Sequence, residues 1–471
     1  MAAHNPLQRL HINMKRNALQ LFILLVFAGC AVGPKYSRPE LAAPSSYKQE
    51  NIKTDSITNL KWWEVFQDSV LQGLIRVSLK ENKDLLTAIS RVNQSKAILG
   101  YNKANLLPFL DYNVRARQTD FGKTAEGATV AFPTNSYAGL GMVSWEIDLF
   151  GKLRHANRAA YAQLLASEED RKAVYISLVA QVAQSYFELR GLDERYELAK
   201  RTYASRLAYQ RILTLRFEKG ETSELDKLQA EQITAAANAQ VFALEREIVL
   251  TENSLNVLLG KFAAPVKRGF SNAQQQLPGE IPQGLPSQLL ERRPDIRASE
   301  QRLIAQTEQV GYAVALRFPT LNLTGFLGVA SPDLSSISSG DAFLGSVTGQ
   351  LAGPIFRFGQ NRRRVEGEQE LAKQYGYQYE MTVIKAFAEV EKSLAEVRTY
   401  RNEYDARSSQ VVATEKTLQL SKALYDNGYT SFLLVLDSER ELYSAEYDKS
   451  VALQNQLIAT VTLYKALGGG W

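Results

Sequence analysis

Few residues in this chain of 471 have the types and spacing that chemistry needs. There is one cysteine, Cys30, and there are three histidines, His4, His11 and His155. A single thiol closes no intrachain disulfide. Zinc sites and cysteine or serine nucleophile machinery need clustered Cys and His, which this composition does not supply. Neither GxxxxGK[ST] nor GxGxxG occurs, so ATP and dinucleotides have no visible seat. Carboxylates are plentiful, but they fall on long charged stretches that read as solvated helix faces. No enzyme activity, metal or cofactor is expected. What remains is modification of Cys30 and the electrostatics of placed charges.

Cys30 closes the apolar run LFILLVFAGC, residues 21–30. The run has the length of a signal-peptide core and falls short of the ~20 residues that span a bilayer. Lys15 and Arg16 precede it, and Ala28 and Gly29 end it. The tetrad Phe27-Ala28-Gly29-Cys30 resembles the bacterial lipobox, which implies that residues 1–29 are a signal peptide and that Cys30 becomes the acylated first residue. Ala31, where the lipoprotein sorting rule would read aspartate as retention, fits delivery to an outer membrane. Met14-Lys15-Arg16 would serve as a start, so Met14 is the expected initiator. Three basic residues of the +5 formal charge, Arg9, Lys15 and Arg16, lie in this segment. The rest is too balanced for a nucleic-acid surface.

The elements that must position such groups show in the punctuation. All 14 prolines lie outside 134–264 and 355–471. Pro-free stretches of that length, with apolar residues at three- and four-residue steps, read as very long helices. One stripe runs Leu178, Val182, Tyr186, Leu189 and Tyr196, and another runs Val383, Phe387, Val390, Leu394 and Val397. Gly151, Gly220 and Gly260 recur as Gly359, Gly428 and Gly468, a constant displacement of 208 positions, as from 151 to 359. Local context agrees, with FEKGETS (217–223) facing YDNGYTS (425–431). Three glycines at one offset imply an internal duplication. Each repeat is expected to hold a helix (about 84–106 and 295–317), two strands, a helix of about 65 residues, a glycine turn, and a returning helix of about 35 to 40. At ~1.5 Å per residue the longer helix measures ~100 Å. No compact globule holds such a hairpin, so a rod or tube is expected.

The strands show period-two alternation. Tyr112, Val114 and Ala116 alternate with polar residues; Tyr137, Val143, Trp145 and Ile147 share a parity. In the second repeat Leu321, Leu323, Leu327 and Val329 do the same, and Val347, Leu351 and Ile355 are placed on one face of the fourth strand. Such segments, rich in glycine and aromatics, fit membrane β-strands, although a soluble antiparallel sheet has the same period. Four strands cannot close a barrel, for which about 8 are the minimum. If they face lipid, open edges are forbidden and several chains must share one barrel.

These features together resemble the outer-membrane factors of tripartite efflux pumps and type I secretion systems, the TolC-like proteins, in their lipid-anchored multidrug-efflux branch. The resemblance is carried by CAVGPKYSRPE (30–40), WWEVFQD (62–68), ERRPDIRASEQRL (291–303), ALRFPTLNLTG (315–325) and the paired glycine turns. It implies a mainly α protein with membrane β structure. Three identical chains would build a 12-stranded β-barrel, four strands each, above a coiled-coil periplasmic tunnel. It further implies a lipidated segment and equatorial belt at 30–83, a first repeat at 84–261, an equatorial connector at 262–294 and a second repeat at 295–471. No cofactor is implied. The implied partners are two further copies, a periplasmic adaptor, an inner-membrane transporter and outer-membrane lipid.

A gate follows from the same resemblance. The turns at 220 and 428 would mark the periplasmic tip, and SFLLVLDSER (431–440) places Leu433, Asp437 and Arg440 where relatives constrict the tunnel. Leu433 and Asp437 are one helical turn apart and share a face. Asp226 and Tyr425 match positions that close the tip by polar links. Leu434 and Thr430 depart from relatives that carry a second acidic ring and a basic residue. An Asp437–Arg440 surface ion pair is the plainer reading, worth a few tenths of a kcal/mol. Trp62 and Trp63 are expected to pack the N-terminal segment, and Arg362, Arg363 and Arg364 to be interfacial or solvated. The alternatives are a polypeptide-secretion duct, a periplasmic adaptor lipoprotein, which would have one hairpin only, and a carboxylate-dependent hydrolase, for which no motif converges.

Overall fold

The computed structural model describes residues 31–41, 61–118, 135–275 and 286–469. Cys30, the signal segment and the expected Met14 start lie outside them. In chain order the elements are α1 (Trp62–Val65), α2 (Ser69–Glu81), α3 (Lys83–Ala104), β1 (Phe109–Gln118), β2 (Asn135–Ile147), α4 (Lys152–Glu218) and α5 (Glu224–Leu258). They continue as α6 (Pro286–Arg292), α7 (Pro294–Ala315), β3 (Thr320–Ser331), β4 (Phe343–Ala352), α8 (Gln360–Asp426) and α9 (Phe432–Ala466).

The duplication is visible in helix lengths. α3 and α7 have 22 residues each, α4 and α8 have 67, and α5 and α9 have 35. The six recurring glycines all take positive φ, with 75° at Gly220 and 76° at Gly428. At these two turns the conformation is required by the hydrogen bonding. Glu221 N donates to Arg216 O at 2.8 Å, and Tyr429 N to Leu424 O at 2.9 Å, which ends each long helix in a Schellman-type cap. A side chain there would carry left-handed strain.

The chain divides into two compact units. The first comprises the described residues up to Glu40 with Val92–Ala166 and Ser299–Tyr379. It holds a four-stranded antiparallel sheet in the order β1-β2-β3-β4. Register decides what the sheet presents, because alternate residues face opposite sides. Val143 lies between Leu110 and Gly325, which pairs Val347; Gly141 lies between Tyr112 and Leu327, which pairs Gly345. Gly139 lies between Val114 and Val329, which pairs Phe343, and Trp145 lies beside Leu323. One face is thus apolar and glycine-rich across all four strands, and it includes the residues whose parity the sequence had aligned. Leu110 is 75% exposed, Tyr112 87% and Val347 79%. The other face carries Asp111, Asn113, Arg115, Asn322, Thr324 and Thr348. Ile355, expected on the fourth strand, lies beyond it, because β4 ends at Ala352 ahead of Gly353 and Pro354.

In the same unit the segment after Cys30 is strapped down. Val32 N donates to Phe150 O at 3.2 Å, and the buried His155 ring sits between Val32 O (2.9 Å from Nε2) and Glu308 Oε2 (2.5 Å from Nδ1). Arg38 grips Glu300 with two bonds, at 2.7 and 2.8 Å, and the Tyr36 hydroxyl adds a third at 2.9 Å.

The second unit comprises Leu41–Arg91, Ser167–Ala298 and Glu380–Trp471. Its core gathers Phe66, Leu71 and Ile75 with Tyr186, Phe187, Leu189, Leu255, Leu289, Val390 and Val461. Each such side chain, taken out of water, stabilises by roughly 1.5–3 kcal/mol. Asp68 caps α2 and also collects the Tyr186 hydroxyl (2.8 Å), the Phe270 amide (2.9 Å) and the Gln275 amide nitrogen (3.0 Å). Arg293 gives the RPD triplet its purpose. Its guanidinium holds Asp295, Glu389 at 2.7 Å and the Ala466 carbonyl at 3.0 Å, fixing the end of α9 to the start of α7. Trp62 is buried and donates to the Tyr175 hydroxyl at 3.1 Å, whereas Trp63 stays exposed.

Candidate functional site at the helix turns

In both repeats a long helix ends at a glycine, and a serine opens the returning helix. Ser223 is the N-cap of α5, and its hydroxyl oxygen accepts from Asp226 N at 3.2 Å. Asp226 answers by accepting from the Ser223 and Thr222 hydroxyls, both at 2.8 Å. Burial alone would raise this carboxyl, but the bonds from Ser223 and Thr222 outweigh it and hold Asp226 below the usual carboxylate range. Ser431 occupies the same place ahead of α9 without a side-chain cap bond. The residue equivalent to Asp226 is there Leu434, which has no oxygen to complete the exchange.

The four helix ends meet on a small apolar cluster. Phe432, Val435 and Leu436 of α9 pack with Leu213 of α4 and Ala230 of α5; Tyr209, Ile233, Leu418 and Tyr425 lie around them. Phe432 is at the centre: the Tyr209 ring stacks on it at 5.4 Å and the Tyr425 ring tilts against it at 5.4 Å. Polar links frame the cluster. Arg216 Nη1 donates to the Tyr425 hydroxyl at 3.3 Å, Lys422 pairs with Glu439 at 2.9 Å, and the Ser421 and Ser438 hydroxyls meet at 2.7 Å.

Of the five residues expected at a gate, Leu433, Asp437 and Arg440 lie along α9, with Leu433 exposed and Arg440 Nη2 3.4 Å from Asp437 Oδ1 and 3.6 Å from Glu441 Oε1. Tyr425 joins the apolar cluster, while Asp226 stays in its own turn with Thr222 and Ser223. Sequence reading missed Phe432, Tyr209 and Arg216. The signal for Phe432 was its place directly after the serine cap, opposite Glu224 in the first repeat, where an apolar residue replaces a charged one. Arg362 and Arg363 are exposed and both pair with Glu366 at 2.8 Å. Among the described residues no three His, Cys, Asp or Glu side chains gather as metal ligands would.

Four strands with one apolar face, followed by a 67- and a 35-residue helix in each repeat, define the protomer of a membrane channel. The chain belongs to the outer membrane efflux protein family, whose model matches residues 74–261 and 285–469. It is similar to the solvent efflux pump outer membrane protein SrpC of Pseudomonas putida, with 33% identity over 474 residues covering 97% of this chain and 99% of that one. It is similar to the cation efflux system protein CusC of Escherichia coli K12, with 28% identity over 456 residues covering 96% and 99%. Among solved structures it resembles the CmeC outer membrane channel of Campylobacter jejuni, with a TM-score of 0.88 and 27% identity over 94% of this chain and 95% of that one. The chain is accordingly an outer-membrane efflux channel protein of a Gram-negative envelope, and its task is passage, with no catalysis.

Proposed function

We propose that three copies of this chain form the exit duct through which an inner-membrane transporter and a periplasmic adaptor expel small solutes. The observation that carries this reading is the sheet: four strands share an apolar face, and among the described residues β1 and β4 each have one neighbour. Such edges are not tolerated in hydrocarbon, and three sheets in a ring would pair every edge in a 12-stranded barrel. In this reading residues 30–83 and 262–294 form a belt, and 84–261 and 295–471 form the two repeats. Cys30 carries the lipid, as an auxiliary anchor. One relative is named for solvents and another for cations, which supports a duct that leaves solute choice to its pump.

The gate is assigned to the helix turns. Leu433 and Asp437, on one face of α9, line the constriction with Arg440 beside them; Tyr425 ties the two hairpins together, and Asp226 fixes the shape of its own turn at the closing end. Three Asp437 carboxylates around one axis would repel one another and attract cations. The test is expression in a Gram-negative strain lacking its own efflux channels, with fractionation and unheated gel electrophoresis. A heat-sensitive trimer in the outer membrane that restores drug tolerance with a compatible pump supports the proposal. A soluble or monomeric product sinks it.

A further inference from the structure

His155, in the first turn of α4, is buried, and both nitrogens of its ring are engaged. Nε2 lies 2.9 Å from the Val32 carbonyl of the strap, and Nδ1 lies 2.5 Å from Glu308 Oε2 of α7. The ring fits because α7 offers it Gly311, where a side chain would run into the imidazole. The strap meets the ring with Val32 and Gly33, which carry no charge, and α7 meets it with Glu308. On α4 itself Arg158 stands beside the same carboxylate, its Nε 3.4 Å from Oε2, while Lys152 and Arg154 pair with Glu146 and Asp148.

These partners fix the number of protons. A carbonyl oxygen can only accept, so Nε2 carries one proton. Nδ1 of a neutral ring would then be a bare lone pair, and at 2.5 Å it would repel an ionised carboxylate oxygen. The contact closes only with a second proton between Nδ1 and Oε2, one more than a neutral imidazole and an ionised carboxyl hold together. The Arg158 charge beside Glu308 favours the ionised carboxylate, which leaves that proton on the ring.

We propose that His155 is a proton-operated latch: as imidazolium it clamps the strap behind Cys30 against α7, and loss of its second proton releases the strap. Arg38 and Tyr36 hold Glu300 about two turns away along α7, so the latch governs the stretch from Cys30 to Tyr36. In the opened strap the ring meets water, where an ordinary imidazole is half-charged near about pH 6.5. Above that pH the opened ring holds one proton and the closed ring two, so opening gives up a proton and the open population grows about tenfold per pH unit. The growth ends once the closed ring has lost its proton as well. Below about pH 6.5 both states hold the proton and the dependence flattens. The latch lies in the first unit alone and stands apart from the channel reading.

The experiment is trypsin cleavage after Lys35 of the full chain in lipid vesicles at pH 7 and pH 8, read by mass spectrometry. Each rate is divided by that of a free peptide of residues 31–41, which removes the protease's own pH profile. Cleavage tracks the open population when opening and closing are fast, so the corrected rate should rise about fivefold to tenfold from pH 7 to pH 8. Glu308→Gln should hold the strap and lose this rise, because a carboxamide N–H can donate to Nδ1 of a neutral ring. No rise in the parent chain overturns the proposal, as does an equal rise in Glu308→Gln, which would place the titrating group elsewhere. From Cys30 onward His155 is the only histidine, so solid-state NMR of 15N-histidine-labelled protein without a histidine tag reads this ring alone. Two protonated nitrogens are expected at pH 7. One unprotonated nitrogen overturns the proposal, and this reading decides if Glu308→Gln does not hold the strap.

Discussion

Arg216 of the first hairpin donates to the Tyr425 hydroxyl of the second at 3.3 Å, while the Tyr425 ring rests on Phe432. The two hairpins are thus joined at their turns by a hydrogen bond laid over an apolar contact, and Lys422 of the second also lies 5.6 Å over the Tyr209 ring of the first. Tyr425→Phe removes the link and leaves the ring. A partly exposed hydrogen bond contributes about 0.5–1.5 kcal/mol, and 1.4 kcal/mol is tenfold in an equilibrium. Open probability of the purified channel in planar bilayers should rise by about twofold to tenfold. An unchanged value would remove this bond from the closing mechanism.

The α9 pair is tested by size and charge together. Leu433→Ala with Asp437→Ala should raise single-channel conductance, and Asp437→Asn alone should shift the reversal potential toward lower cation preference. Conductance and selectivity equal to the parent protein would return Asp437 and Arg440 to the status of a surface ion pair, worth about 0.3–0.5 kcal/mol.

Asp68 is a prediction about stability and its pH dependence. Burial works to raise its carboxyl, but hydrogen bonds from Gln275, Tyr186 and the Val70 and Phe270 amides outweigh it, so the group lies below the usual carboxylate range. The sign follows from linkage: a carboxyl lowered on folding stabilises fully above its unfolded value, about 4, and that stabilisation disappears as pH falls through the lower folded value. Asp68→Ala should cost about 3 kcal/mol at neutral pH, since buried donors lose a charged acceptor. Unfolding temperatures of parent and variant should converge in acid. A constant gap from pH 7 to pH 3 would contradict the ionised-acceptor role.

His155 is predicted to hold the strap behind Cys30. His155→Phe keeps the ring volume and removes both bonds, to Glu308 and to the Val32 carbonyl. Trypsin should then cleave after Lys35 at least about tenfold faster, as expected when a local segment opens more often. Equal cleavage would show that Arg38 and Tyr36, through Glu300, suffice.

Most of the fold was legible because it is periodic. Gly220 and Gly428 announced both helix ends through their shared context, and the parity of Tyr112, Val143, Leu327 and Val347 marked an apolar side on each strand, which register joins into one face. The bonds around Asp68 were not legible in this way. Asp68 meets Tyr186, Phe270 and Gln275 across stretches of 118, 202 and 207 residues, and no local pattern records such a meeting. At the turns Leu433, Asp437 and Arg440 were read while Phe432 and Arg216 were not, because Phe432 opens an unbroken apolar run, 432–436, in which the letters set none apart, and Arg216 is one basic residue among several on α4. Ile355 failed for a simpler reason: alternation persisted in the letters after Gly353 and Pro354 had ended the ladder.

Among the described residues the outer sides of β1 and β4 are unpaired, and this carries a kinetic consequence. A single chain has no finished state inside a bilayer, so for this protein folding and assembly are one reaction. Its insertion rate should rise more steeply than linearly with the amount of chain supplied, and a stability measured for it has meaning only at a stated protomer concentration. Before insertion, each chain offers two adhesive ladders to any strand it meets. The cell must therefore escort it as an unfinished piece.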